Sequence, residues 1–364
     1  MIEMKRTIPK ASSPPSIAII GAGPGGLAAA VLLSTSGFDV TIYEAGPTIG
    51  GRTAHVRAGD YRFDRGPTFF MMPYVLDEVF ATARTRLADE VELTRLDPMY
   101  RLVLGRTADA KGAENDRSNL LLEATQDIAE MSRRISAINP RDGHAFARFI
   151  ADNRKKLQLS ESILRNPMRS PLDLFSSETW KDTLRVGPIL KPWQSVHEQL
   201  SEYFEHPLVR LSVSFQSKYL GMSPFECPSL FTILPFIEYE YGIWHPTGGC
   251  HELMRALARV AMTAGATIHC NAPVVSLDFD DAPTPAAKGV SIGGQGPLAH
   301  TTSAHDYVIL NADASHALQR LIPQRIQQHL RPSEQPEQLE KKRYSCSTAM
   351  LYLGVDGEVA LPHH

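Results

Sequence analysis

Gly21, Gly23 and Gly26 stand in the spacing G-x-G-x-x-G, with Ala22 inside the turn. The apolar run 17–20 (IAII) precedes them. A second apolar run, 40–43 (VTIY), ends at Glu44, 23 residues after Gly21. These residue types at this spacing suit a dinucleotide. The first glycine allows a tight turn. The second lets the backbone approach a pyrophosphate, and the third lets a helix pack closely on a sheet. The small and aliphatic residues 28–33 read as that helix, closed by Gly37. Its N-terminal N–H groups can face phosphates. Glu44 can accept from the ribose hydroxyls of an adenosine. The other reading, a plain glycine-rich turn, is disfavoured by the strand before, the helix after and the acid at the right distance.

Two further turns follow. Ile49-Gly50-Gly51-Arg52 suits a loop wrapping a cofactor longer than a nicotinamide dinucleotide, with Arg52 near its phosphates. It also reads as an ordinary Gly-Gly turn with a solvated arginine. Asp64-Arg65-Gly66-Pro67-Thr68 either continues the cofactor loop or is a plain turn, Gly-Pro being a common turn pair.

The elements that must position these residues are read from pattern. A chain of 364 residues with 43% hydrophobic content predicts two interleaved domains and a sizeable core. The net charge of −3 gives no reason to expect nucleic acid. Cys227, Cys250, Cys270 and Cys346 show no C-x-x-C pairing and read as reduced core thiols. Residues 1–15 are polar and rich in Pro and Ser, without the apolar stretch of a secretory signal, and are expected to be a disordered leader. Runs 100–104 and 120–122 read as paired strands around a surface loop, 107–119. Residues 127–180 read as helices, broken at Pro167, Pro171 and Pro188. An amphipathic helix, 251–264, is capped by Gly265 and followed by a buried strand, 267–270. The Pro/Gly-rich stretch 281–306 reads as the turns of a surface β-hairpin, 307–310 as another parallel strand, and 348–355 as a final strand. No stretch approaches the ~18–20 apolar residues of a membrane span.

GAGPGG, GGR, D-x-GPT and Met72-Pro73 together resemble the bacterial-type phytoene desaturases, of the carotenoid/retinoid FAD-dependent oxidoreductase family. The resemblance continues through Tyr219-Leu220-Gly221-Met222-Ser223-Pro224, Pro235-Phe236-Ile237-Glu238-Tyr239, Trp244-His245-Pro246-Thr247-Gly248-Gly249 and Tyr344-Ser345-Cys346-Ser347-Thr348. It implies an α/β fold: a two-dinucleotide-binding-domain flavoprotein, its Rossmann-like FAD domain interleaved with a substrate domain of mixed β-sheet and helices. The FAD domain would comprise 16–99 and 246–315. The substrate domain would comprise 100–245, with a helical lipid- or membrane-facing part, and return at 316–364. FAD is the implied cofactor, held by Gly21, Ala22, Gly23, Gly26, Glu44, Gly51, Arg52, Gly66, Pro67 and Thr68. In Asn271-Ala272-Pro273-Val274 the resemblance makes Val274 an adenine contact, and a core valine is at least as good a reading. The family's pattern continues well beyond His364 with a later glycine-rich segment that returns to the flavin ring, so the C-terminal part is expected to be missing.

The implied activity is FAD-dependent desaturation of an apolar polyene such as phytoene, by a cytoplasmic protein peripherally associated with the inner membrane. A related flavoenzyme (saturase, isomerase, ketolase or amine oxidase) and a flavin-free prenyl carrier are the alternatives. The intact Gly21, Gly23, Gly26 and Glu44 argue against the carrier. Phe215, Tyr219, Phe231, Phe236, Tyr239, Tyr241 and Trp244 read as tunnel walls or as core. A carboxylate beside such a tunnel would have a raised pKa, which suits a base. The preferred reading is plainer: Glu238 and Glu240 solvated or ion-paired, and Asp64 holding a loop. No catalytic residue is assigned. His245 and His251 have poor metal geometry, so no metal is expected. Gly248-Gly249 either faces the cofactor or caps a helix.

Overall fold

The computed structural model describes residues 13–104, 120–165, 180–181, 184–185, 190–191 and 193–357. Most of the expected leader, the loop 107–119 and the breaks at Pro167, Pro171 and Pro188 lie outside the described residues. The chain divides into two compact units. One joins the segment up to Thr94 with His245–Arg343, and the other joins Arg95–Trp244 with the segment from Tyr344 onward.

The first unit is built on a four-stranded parallel sheet. Strand β1 (Ser16–Ile20) lies at its centre, between strand Tyr307–Leu310 and strand β2 (Asp39–Tyr43), and β2 also pairs with Thr267–His269. Residues 17–20 are all buried, because both sheet faces are covered, and this is why the strand reads as a continuous apolar run. Ile17 and Ile19 face one side. There they meet Leu27, Ala30 and Val31 of helix α1 (Pro24–Thr35), and Leu253, Leu257 and Val260 of helix His251–Thr263. Ala18 and Ile20 face the other side, with Tyr43, Leu277, Val290, Ala317 and Leu321. Helix α1 starts with Pro24 and ends before Gly37, whose φ of 90° is a left-handed exit.

Residues 281–306 carry the expected hairpin, Ala287–Ile292 with Thr301–Ala304, and it completes an antiparallel three-stranded sheet with Val274–Phe279. Val290 and Ile292 alternate into the core, while Gly289 sits where a Cβ would lie 2.4 Å from the Ser303 carbonyl oxygen. That glycine therefore serves close strand approach. One expectation for this unit needs correction. Residues 316–343 belong to this unit and do not return to the other, because Ala317, Leu321, Ile322 and Ile326 are buried in the core behind β1.

The second unit carries the antiparallel pair Tyr100–Leu104 and Leu120–Ala124, with Tyr100 opposite Ala124. Helices Ile128–Ser136 and Pro140–Arg165 follow. Asp127 caps the former by accepting from the Glu130 N–H at 3.0 Å. Phe146 and Phe149 are fully buried and meet Tyr239 and Phe204 edge-on, at 5.0 and 5.6 Å between centroids. Tyr239 and Phe236 are thus core, not tunnel walls. The stretch 219–237 is broken by Gly221, at φ 66°, into short helices. The expected last strand, 348–355, does not form. Leu351 and Leu353 are 83% and 71% exposed, and no described strand pairs with this segment to take its backbone hydrogen bonds. Cys227 and Cys250 are buried free thiols, whereas Cys270 is half-buried and Cys346 exposed, so only two of the four are core. No described helix is long and apolar enough to cross a membrane.

Candidate functional site

The turn after β1 is fixed by backbone. The Gly21 N–H donates to the Tyr43 carbonyl at 2.8 Å, and Gly21 takes a φ of 100° that disfavours a side chain. Gly26 has a different cause. A Cβ there would lie 2.2 Å from the Gly21 carbonyl oxygen and 2.7 Å from Asn311 Nδ2. Gly23 is open by comparison, since its Cβ would meet only Asn311 Nδ2, at 3.6 Å. Gly23 is also the N-cap of α1 and offers no side chain to the first helical N–H groups. Those donors point from an uncapped helix start toward the open side of the turn.

Glu44 leaves β2 half-buried and reaches back across this turn. Its Oε2 accepts from the Ala22 N–H and its Oε1 from the Gly46 N–H, both at 2.8 Å. A carboxylate has about four lone-pair positions, so two remain for ribose hydroxyls. The Gly50–Ala54 turn is tied to the glycine turn by the Gly50 N–H, which donates to the Ala22 carbonyl at 2.8 Å. A Cβ on Gly51 would sit 3.3 Å from Gly23 Cα. Arg52 is exposed and has no hydrogen-bond or ion-pair partner among the described residues. Gly66 packs on Arg52, its Cβ position being 2.5 Å from the Arg52 carbonyl oxygen. Pro67 and Thr68 extend from it exposed, and the Thr68 carbonyl accepts from His245 Nδ1 at 2.9 Å.

The structure therefore brings Gly21, Ala22, Gly23, Gly26, Glu44, Gly51, Arg52 and Gly66 into one constellation. Val274 is a half-buried residue packed against the cluster around Ala18, Ile20 and Tyr43, and its segment is tied to the site by the Ala272 N–H, which donates to the Glu44 carbonyl at 2.9 Å. Asp64 holds a loop, as read: its carboxylate accepts from the Cys250 N–H at 3.0 Å. It closes on Gly249, at φ 93°, just before helix His251–Thr263. Burial, with Asp64 nearby, pushes the Cys250 thiol up to about 12.

Asn311 is the residue that motif reading missed. Its Nδ2 donates to the Gly21 carbonyl at 3.2 Å, and its side chain lies beside Gly23, Gly25 and Gly26. Its place directly after a parallel strand, at the carboxyl end of the sheet, was the available signal. No group of three or more His, Cys, Asp or Glu among the described residues could hold a metal.

In the second unit the plainer reading of the acids holds for one of the two. Glu240 forms a two-pronged pair with Arg154, at 2.9 and 2.6 Å. Glu238 is neither solvated nor ion-paired. It is fully buried and accepts from Tyr100 OH at 2.9 Å, Gln216 Nε2 at 2.8 Å and Tyr219 OH at 3.1 Å. Burial raises its pKa, while the three donors pull the other way.

The glycine turn, the open helix start, the Glu44 carboxylate and the free Arg52 cation fit the adenosine diphosphate half of FAD. A dinucleotide crossing Gly23 meets N–H donors at its pyrophosphate and an acceptor at its ribose.

Comparison with known proteins agrees with this fit. The model of the flavin containing amine oxidoreductase family matches residues 24–359. A 4,4'-diapophytoene desaturase (4,4'-diapolycopene-forming) from Methylomonas sp is 39% identical over 96% of this chain, and an all-trans-zeta-carotene desaturase from Myxococcus xanthus is 33% identical over 96%. The chain spans 62% of the length of each. A solved oxidoreductase from Methanosarcina mazei shares the fold. It has a TM-score of 0.54 at 17% identity, over 90% of this chain and 64% of that one. A match over nearly the whole chain, on a parallel sheet whose first turn is shaped for a dinucleotide, leads to one assignment: the chain belongs to the flavin containing amine oxidoreductase family.

Proposed function

We propose that the full-length protein desaturates an acyclic carotenoid precursor, such as phytoene or its shorter diapo counterpart, with FAD as hydride acceptor. The observation that carries this reading is the identity with the Methylomonas diapophytoene desaturase across nearly the whole chain. Desaturation removes two hydrogens from neighbouring carbons. One leaves as a hydride with the electron pair of its C–H bond. The other leaves as a proton, and its electron pair becomes the new C=C bond. Bound FAD supplies the two-electron acceptor. The Gly21–Gly26 turn holds the pyrophosphate through backbone N–H groups, Glu44 orients the adenosine ribose, and Arg52 balances phosphate charge. Asp64 fixes the start of helix His251–Thr263 beside the Gly51–Arg52 turn.

The test is expression of the full-length protein in colourless cells that supply phytoene or diapophytoene, followed by pigment extraction. The expected result is a coloured, more conjugated product. Unchanged precursor, together with turnover of an amine by the purified protein, would contradict the reading.

The polyene precursor is apolar, and the proposal includes delivery from a membrane surface. Trp193 is 73% exposed and Phe225 is 66% exposed. Their segments are bonded together by the Val196 N–H to the Cys227 carbonyl at 2.8 Å and by the His197 N–H to the Pro224 carbonyl at 3.0 Å. Leu211 and Met222 of the same unit are also exposed. Exposed tryptophan and phenylalanine favour the water–lipid boundary. Replacing both Trp193 and Phe225 by serine is expected to weaken co-sedimentation with phosphatidylglycerol-containing vesicles by about tenfold or more. Unchanged sedimentation of the double variant would remove this face from the proposal.

A further inference from the structure

His55 opens strand β3 (His55–Ala58), which pairs with strand β4 (Tyr61–Asp64), and His251 opens helix His251–Thr263. Their rings meet at 4.4 Å between centroids, tilted by 67°. His251 is only 3% exposed. The Nδ1 atoms of both rings are buried without a hydrogen-bond partner among the described residues. The pair lies against the turn that carries Gly51 and Arg52. A Cβ on Gly50 would lie 3.1 Å from His251 Nδ1 and 3.0 Å from the Ala54 nitrogen. The His251 ring thus fills the space beneath Gly50. The turn above it is bonded to the glycine turn through the Gly50 N–H and the Ala22 carbonyl.

We infer that His251, backed by His55, is a positioning residue for the Gly51–Arg52 turn, and that protonation of the pair releases this turn and with it the bound FAD. The inference rests on the reading of that turn as a cofactor loop.

The surroundings decide the direction. Arg57 on β3, Arg62 on β4 and Arg255 on the helix act on His55 as like charges, and Arg255 acts on His251 as well. Glu252 is the one opposing carboxylate that acts on the pair, and it is shared between Arg62 at 3.5 Å and Arg255 at 3.4 Å. Asp64 is turned to the Cys250 N–H. Burial first, then the three arginines, holds His55 below the usual imidazole range; burial first, then His55, does the same for His251. Both rings are therefore neutral at pH 7 in the closed turn. A ring freed by opening regains an ordinary pKa near 6.5. Affinity for FAD is full above that pH. It falls as the pH drops toward the lower value of the closed form, because the open state takes up the proton. One coupled proton gives at most about a tenfold loss per pH unit.

The experiment measures FAD dissociation constants by flavin fluorescence from pH 7.5 to 5.0 on the full-length protein, and amide hydrogen exchange of residues 50–54 on its apoprotein. The wild type is expected to lose affinity as the pH falls below 6.5, with a slope of at most about tenfold per pH unit for one coupled proton. The double variant His55→Gln/His251→Gln keeps polar groups in place without titrating. It is expected to bind a few-fold more weakly at pH 7.5 and to lose the slope. Should the double variant not fold, His55→Gln alone, at a half-exposed position, is expected to flatten the slope. A wild-type slope retained in the variant that folds, or a pH-independent wild type, would overturn the inference. Failure of the wild type to bind FAD at pH 7.5 would instead sink the cofactor reading. In that case hydrogen exchange still decides about the pair: exchange at 50–54, corrected for intrinsic rates, is expected to be faster at pH 5.5 than at 7.5 in the wild type alone. Equal protection at both pH values would overturn the positioning role.

Discussion

Gly26→Ala is expected to destabilise the first unit, whereas Gly23→Ala is expected to leave it folded and cost it the cofactor. The two glycines differ in what a methyl group would meet. At Gly26 the new Cβ would lie 2.2 Å from the Gly21 carbonyl oxygen and 2.7 Å from Asn311 Nδ2. Neither neighbour can move freely. Gly21 is bonded through its N–H to Tyr43, and Asn311 through its N–H to Ile20. Forcing the helix off the sheet costs on the order of 3 kcal/mol, the upper part of the range for overpacking. In a unit of this size that lowers the melting temperature by about 6–12 °C. At Gly23 the new Cβ would make one ordinary contact, at 3.6 Å, on a backbone whose φ of −74° suits any residue. Melting of the apoprotein should therefore shift by no more than about 1–2 °C, as for a surface change. The methyl would instead occupy the side of the turn that a pyrophosphate must approach. A Gly23→Ala protein that retains FAD as the wild type does would show that the phosphates do not pass there.

Glu238→Ala is expected to be among the most damaging single changes in the second unit, and Glu238→Gln among the mildest at so buried a position. Truncation to alanine leaves the donors Tyr100 OH, Gln216 Nε2 and Tyr219 OH facing a cavity. Unpaired buried donors and the cavity together cost about 3–5 kcal/mol. Glutamine keeps an acceptor for Tyr100 and Gln216, and its amide N–H can donate to the Tyr219 hydroxyl. It also removes a charge from a buried site. The sign follows from the raised pKa of Glu238. The folded state holds this proton more tightly than the unfolded state. The contribution of Glu238 is fullest below the ordinary carboxylate range near 4.5, and falls as pH rises through its folded-state value. At pH 7.5 the glutamine variant should thus unfold at or above the wild-type temperature, and its advantage should shrink toward pH 4.5. Thermal unfolding of wild type and both variants at the two pH values checks this. A glutamine variant as unstable as the alanine one would show that the charged carboxylate itself holds the unit together.

The parts of this fold that were legible in the sequence rest on short-range pattern. Residues 17–20, the three glycines, α1 and Glu44 lie within 28 consecutive positions, and each element names itself by period or by spacing. The strands Thr267–His269 and Tyr307–Leu310 were legible for the same reason. What escaped depends on partners brought in by the fold. Glu238 looks like a surface acid in the string EYEYG. It is buried because Tyr100, 138 positions earlier, and Gln216 and Tyr219 converge on it. Nothing near His55 announces His251, and nothing near Gly26 announces Asn311. The segment 348–355 shows the converse. Its composition suits a strand, but a strand requires a neighbour for its N–H and C=O groups, and none of the described strands supplies one.

The cofactor released on denaturing the purified full-length protein tests the central claim most directly, that the Gly21–Gly26 turn and Glu44 hold FAD. The expected result is stoichiometric FAD from the wild type and little from a Gly23→Ala protein of unchanged melting temperature. A nicotinamide dinucleotide in its place, or equal FAD from both proteins, would contradict the account.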